Sequence, residues 1–272
     1  MAQASQRLPA VAGLFYPADP HSLHAQISGY LAGALPAEVV HSPKAIIVPH
    51  AGYIYSGAVA ASAYAELVLR RDIVRRVLIL CPTHRVAVRG MAIPAAQSFV
   101  TPLGTVAVDR AAWLAARELP GVLVDDRPHA EEHAIEVQLP FLQSTLDHFE
   151  ILPVAVGQLD PDLVARLLEA LWGGPETLIV ISSDLSHYHP YRQAQWRDKA
   201  TIAMIAQLDP HLDGEQACGA GAINGLLIAA QRHRLAPHLL DLRNSGDTAG
   251  DRDRVVGYAS IAFSEDRNHA QH

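Results

Sequence analysis

Four short apolar runs, "KAIIVPH", "VLILCPTH", "EILPVAVG" and "TLIVISSD", constrain this chain more than anything else in it; each is rich in β-branched residues and bounded by proline, glycine or polar residues. Between them lie longer segments with helical spacing, such as "SGAVAASAYAELVLR" and "DPDLVARLLEALW". A strand that is apolar at nearly every position is covered on both faces, the situation of a parallel sheet whose crossover helices pack on either side. The pattern predicts an α/β fold with a mainly parallel central sheet and helices on both faces. "MAIPAAQSFVTPLGTVAVD" breaks the rhythm and predicts a hairpin at a sheet edge, turning at Pro102-Leu103-Gly104. Helices are expected at about 131–147, at 191–208 and after Cys218, and two last strands in "HLLDLRNS" and "VVGYASIAF". No internal repeat or linker divides the 272 residues, so one unit is expected over 1–272, with the polar tail "SEDRNHAQH" frayed.

Charge and composition remove several classes of function. The formal net charge is -7, and the only basic cluster is "RRDIVRR", so nucleic acid and anionic membrane are not expected partners. No apolar run reaches the roughly 18 residues of a spanning helix, and the first residues lack a signal-peptide core, so the expected address is cytoplasmic. Two cysteines make no disulfide framework, and Cys81, inside "VLILCP", reads as a buried, inert thiol.

Histidine is abundant, with 15 copies against 21 Lys and Arg, and its placement is informative. Three of the four runs finish on groups able to bind metal or move protons: His50 after "IIVP", His84 after "LILCPT", and Asp184 with His187 after "LIVISS". In an open α/β sheet ligands bind beyond the carboxyl ends of the strands, so parallel pairing would gather these groups on one rim. Gly52 is expected to let the backbone turn away behind His50. Cys218 precedes "GAGAI" at what reads as a helix start, where the dipole and free N–H groups favour thiolate. A thiolate with two imidazoles suits zinc, iron or copper. Against this stand blander roles: a hydrogen-bonded loop histidine, and a small cysteine packing a helix.

The string "RPHAEEHAIEVQLPF" offers a competing motif. His129, Glu132 and His133 spell H-x-x-E-H, which in some metalloproteases holds zinc on one helix face. Pro128 directly before His129 places that histidine at a helix start, and the alternative is a solvated first turn with Glu131 and Glu132 complementing the dipole. His133 and Glu136, three apart, can still face the rim from the side. Tyr53 and Tyr55 either line a pocket or pack.

Taken together, "LPAVAGLFYP", "VPHAGYIYSG", "CPTHR", "EEHAIEVQLPFL", "SSDLSHY", "CGAGAI" and "NSGDTAGDRDRVVGYASI" resemble, in order and from about Pro9 to Phe263, the Memo family, called AmmeMemoRadiSam system protein B in bacteria and archaea. The resemblance implies a single α/β domain with its core at about 9–263, related to class III extradiol dioxygenases, whose non-haem iron is held by two histidines and a carboxylate. In Memo proteins a cysteine takes the carboxylate's place. Carried onto this chain, the metal ligands are His50, His84 and Cys218, with Asp184 and His187 at the acid/base position of the dioxygenase relatives. Tyr53, Arg85, His133 and Glu136 are expected to line the pocket; Arg85 departs from the small polar residue or second histidine that many members have after the ligand. The implied function is redox chemistry on Fe(II) or copper, with an unknown small-molecule substrate. The alternatives are a non-catalytic binding or scaffold protein that retains the pocket, and a zinc hydrolase. The family's bacterial name also implies a link to radical SAM and AMMECR-type proteins.

Overall fold

The computed structural model describes residues 5–34 and 42–265; the last seven residues of the expected frayed tail lie outside that range, while Ser264 and Glu265 still belong to the final strand. At the centre are four parallel strands in the order Ala45–Val48, Thr177–Ser182, Arg76–Pro82 and Glu150–Val156, the four apolar runs of the sequence. Only their first residues, Arg76 and Glu150, escape full burial. Period-2 alternation sends their side chains to two layers. Ile46, Val48, Ile79, Cys81 and Val180 meet the helices Tyr53–Ala65 and Leu139–Thr145 on one face. Ile47, Leu78, Leu80, Ile179 and Ile181 meet Pro161–Ala170 and Ala220–Arg232 on the other. Each fully buried side chain of this size contributes about 1.5–3 kcal/mol, so the centre of the sheet is the strongest part of the fold. Cys81 is wholly buried there, and burial raises its thiol well above the usual range.

The flanks are antiparallel. Val255–Glu265 pairs with Ala45–Val48, with Leu235–Asn244 and with the short strand His187–His189. On the other side Met91–Ile93 runs antiparallel to Glu150–Val156 and carries Val122–Val124 parallel at the edge. The sheet is therefore mixed, with its parallel character at the centre. The hairpin Ser98–Thr101 with Gly104–Ala107 turns where expected, but it forms a separate three-stranded sheet with Gln6–Arg7 instead of extending the main one. Gly104, at φ +124°, takes a backbone conformation that other residues avoid.

The helix expected over 131–147 is broken into His133–Glu136 and Leu139–Thr145, and a separate turn, Arg127–Ala130, precedes them. The break has a local cause. Glu132 adopts an extended conformation and caps the next turn, its side chain accepting from the Ala134 N–H, and Pro140 opens the last segment. Helices Tyr191–Ala206 and Ala220–Arg232 stand where the spacing put them. No helix among the described residues is long and apolar enough to cross a membrane.

Candidate metal centre at the strand rim

The parallel register aligns the strand ends: Val48 lies opposite Ser182, Leu80 opposite Ile181 and Pro82 opposite Val156. The chain beyond them delivers His50, His84 and Asp184 to one edge, and His133 comes in from the broken helical segment. His50, His84 and His133 each offer a ring nitrogen, and these atoms all lie within 4.8 Å of one another. The ring centroids are 5.1 Å apart for His50 and His84, 5.3 Å for His50 and His133, and 4.9 Å for His84 and His133. His50 is at the bottom, with 2% of its side chain exposed, whereas His84 keeps 29%; the cluster opens past His84.

Glu132 lies beneath two of the three rings. One oxygen is 2.9 Å from His84 Nδ1 and 3.3 Å from His133 Nδ1, and the other accepts from the His84 backbone N–H at 2.8 Å. A carboxylate there fixes the proton of His84 on Nδ1 and turns Nε2 outward, the arrangement that orients imidazole ligands in metal sites. Burial pushes the Glu132 carboxyl up, but the His84 ring and the backbone N–H groups of His84 and Ala134 outweigh it and bring the group down to about 2. Burial, with repulsion from His84 second, holds His50 down to about 3; burial, then His50, holds His133 down to about 4. Both rings are uncharged at neutral pH, as ligands must be. The donors fit a first-row divalent transition metal.

Cys218 stands beside the three nitrogens. Its Sγ is 3.3 Å from His50 Nε2 and accepts from the Asp184 N–H at 3.3 Å. It sits just before a helix, as expected; with no metal bound, burial and then the Asp184 charge push the thiol up to about 12. Gly219 makes the placement possible: a Cβ there would stand 2.7 Å from Ser183 Cβ, while its N–H donates to Ser183 Oγ at 2.9 Å.

The other expected site residues divide. Asp184 is buried and raised by that burial; it accepts from the His50 backbone N–H at 2.7 Å, and its second oxygen is 4.0 Å from His50 Nε2. It serves His50 directly, where the resemblance had paired it with His187. His187, half-buried in its short strand, adds to the charge environment of both Asp184 and His50. Arg85 is exposed beside His84. Tyr53 is not at the pocket: it is 3% exposed, packs on Tyr16 and Phe141, and donates to the Val137 carbonyl at 2.7 Å. Glu136 is fully buried, accepting from Arg7, Tyr16 and the N–H groups of Ala10 and Val11, so it anchors the N-terminal segment and lines no opening. His129 points away and bonds the Ala92 carbonyl, which separates the two histidines of H-x-x-E-H. Gly52 has φ -55° and room for a Cβ, so the turn behind His50 does not need glycine's freedom.

Sequence reasoning left several contributors without a role. Phe15 lies 4.7 Å from the His133 ring. Glu132 had a signal in H-x-x-E-H, although the solvated-turn reading missed its burial; it is 2% exposed. Ser182 had one in "SSD".

The Memo-like protein family profile matches residues 7–262. A MEMO1 family protein of Sulfolobus acidocaldarius is 37% identical over 283 residues, covering 95% of this chain and 99% of its own length. One from Aquifex aeolicus is 35% identical, covering 94% and 98%. Among solved structures, the uncharacterized protein JW3007 from Escherichia coli K12 shares the fold at a TM-score of 0.51 and 13% identity, over 80% of this chain and 99% of that one. By profile and by identity along almost its whole length, this chain belongs to the Memo family.

Proposed function

We propose that this is a metal-dependent redox protein of the dioxygenase-like type. Its ion is Fe(II), with copper as the other redox-active occupant, held by His50, His84 and His133, with Cys218 as a further donor once its proton is lost. The observation behind this reading is the convergence of three ring nitrogens within 4.8 Å, beside a thiol, at an open strand rim. Imidazoles and a thiolate suit zinc, iron and copper alike; the resemblance to dioxygenases draws the choice toward a redox-active ion, whose potential the adjacent sulfur would tune. When bound, such an ion supplies Lewis acidity and one-electron chemistry.

The chain's own residues supply the rest. Asp184 Oδ2, 4.0 Å from His50 Nε2, offers a buried place for a proton leaving a bound ligand. Phe15, packed against the His133 ring, shields that side from water, and Arg85 meets solvent at the mouth. His187 keeps the acid/base role, and the cytoplasmic address and the link to radical SAM and AMMECR-type proteins belong to the same proposal.

Metal analysis after anaerobic purification tests it. Iron or copper approaching about one ion per chain, lost in His84→Ala and reduced in Cys218→Ser, supports the assignment, as does dioxygen uptake with a catechol panel. Zinc without dioxygen uptake would convert the reading to a hydrolase, and a protein that takes up no metal would be a binding or scaffold protein.

A further inference from the structure

Ser182, the first serine of "SSD", ends the strand Thr177–Ser182 and is completely buried under His50. Its hydroxyl has three neighbours: the Ala134 carbonyl at 2.7 Å, Gln138 Nε2 at 2.9 Å and His50 Nδ1 at 2.9 Å. The protons among them can be assigned without being seen. Gln138 also faces the Pro49 carbonyl at 2.9 Å, which only accepts, so the nitrogen end of that amide must point there; Tyr64 then donates to its oxygen. With its nitrogen end so placed, the amide gives its second N–H to Ser182 Oγ. The Ala134 carbonyl also only accepts, so Ser182 spends its single proton on it. What remains on Ser182 Oγ is a lone pair, and His50 must meet it with Nδ1–H.

We propose that Ser182, locked by Gln138 and the Ala134 carbonyl, is a positioning residue that holds His50 in the Nδ1–H tautomer and so presents the Nε2 lone pair to the rim. This deepens the metal reading and rests on it for its consequence, though the tautomer itself does not. The two halves of the cluster thereby acquire separate supports of different kinds. Glu132, a charged acceptor, orients His84 and lies against His133, whereas His50 is oriented by a neutral hydroxyl. Ser182 also ties His50 to the carbonyl immediately after His133, so one side chain sets the ring of one histidine against the backbone of another. Without the hydroxyl, His50 Nδ1 loses its 2.9 Å acceptor and keeps only the backbone of Ser182, so an Nε2–H directed at Cys218 Sγ, 3.3 Å away, gains weight.

The test uses the whole chain labelled with 15N-histidine, metal-free and at neutral pH, with His50 assigned against a His50→Gln variant. Long-range nitrogen–proton correlation should show His50 protonated at Nδ1. Ser182→Ala should shift it toward Nε2–H and weaken Co(II) binding by about 10- to 100-fold, with Ser182→Thr restoring both. An Nε2–H signal in the unaltered protein overturns the proposal, and so does a folded Ser182→Ala variant that binds Co(II) as tightly as its parent. If the parent itself binds no Co(II), the metal reading fails, and the tautomer spectrum of the parent, which needs no variant to fold, alone decides the role of Ser182.

Discussion

Glu132 and Glu136 lie four residues apart around one short helical turn; both are buried and both accept several hydrogen bonds, yet they belong to different kinds of structure. Glu136 is closed. Its partners are the Arg7 guanidinium, the Tyr16 hydroxyl and two backbone N–H groups, and none of them has anything left to offer a ligand. Glu132 is open at second hand: the rings of His84 and His133 meet it through Nδ1, and each has another nitrogen to turn toward a shared space. A buried carboxylate is thus structural or functional according to what its partners do with their other side, which neither burial nor bond number reveals.

Breaking each carboxylate should therefore produce opposite losses. Glu136→Gln leaves the Arg7 guanidinium, with 5% of its side chain exposed, without its counter-charge. Removing one partner of a buried pair costs about 3–5 kcal/mol, so the denaturant midpoint should fall steeply while the fraction still folded takes up metal as before. Glu132→Gln should do the reverse: about a 10- to 100-fold loss of metal affinity by titration, with a smaller loss of stability because the shape is kept. Equal metal affinity in the two variants would erase the distinction.

Acid sharpens the same contrast in the metal-free protein. His50 and His133, held down to about 3 and 4, and His129, also held down to about 4 by burial, are neutral when folded and charge at about 6.5 when unfolded. The unfolded state then binds more protons, so stability is full above about pH 6.5 and falls as pH drops toward 4; for His129 alone the loss is about 2 kcal/mol at pH 5. Glu132 acts in a lower window. Its carboxyl is held down to about 2, so its contribution is present above the unfolded value near 4.5 and is lost as pH falls to 2. Urea titrations between pH 7 and 4.5 should show the histidine part, and a flat profile there would mean that the rings are charged when folded.

Much of this was legible in the chain because it is written in local pattern. Apolar runs ending in His50, His84 and Asp184 disclose both the strands and the rim, since parallel pairing puts their ends together. The third ring nitrogen was harder to find. His133 enters from a segment whose helical spacing suggested one continuous helix, and the break at Glu132 that swings it inward is visible only once His84 is there to hold that carboxylate. Glu136 and Tyr53 misled for a related reason. Their partners, Arg7 and Tyr16 for one and Val137 for the other, come from pairings that no spacing encodes. The thiol of Cys218 followed the helix-start rule in position, while in the metal-free chain burial and then the Asp184 charge push it up.

Arg85 gives the smallest effect, and its contrast with Arg7 explains why. Both are guanidinium groups within the chemistry of this region, but Arg7 is enclosed with Glu136 while Arg85 stands in solvent next to His84. Water and salt screen a charge in that position, so Arg85→Ala should change stability by less than about 0.5 kcal/mol and leave metal content alone. Its charge can act only on what approaches the mouth. Competition by an anion such as azide for the bound ion should weaken by less than about tenfold, and the difference should vanish as ionic strength rises. A loss of metal instead would mean that Arg85 reaches into the cluster and supports it as Glu132 does.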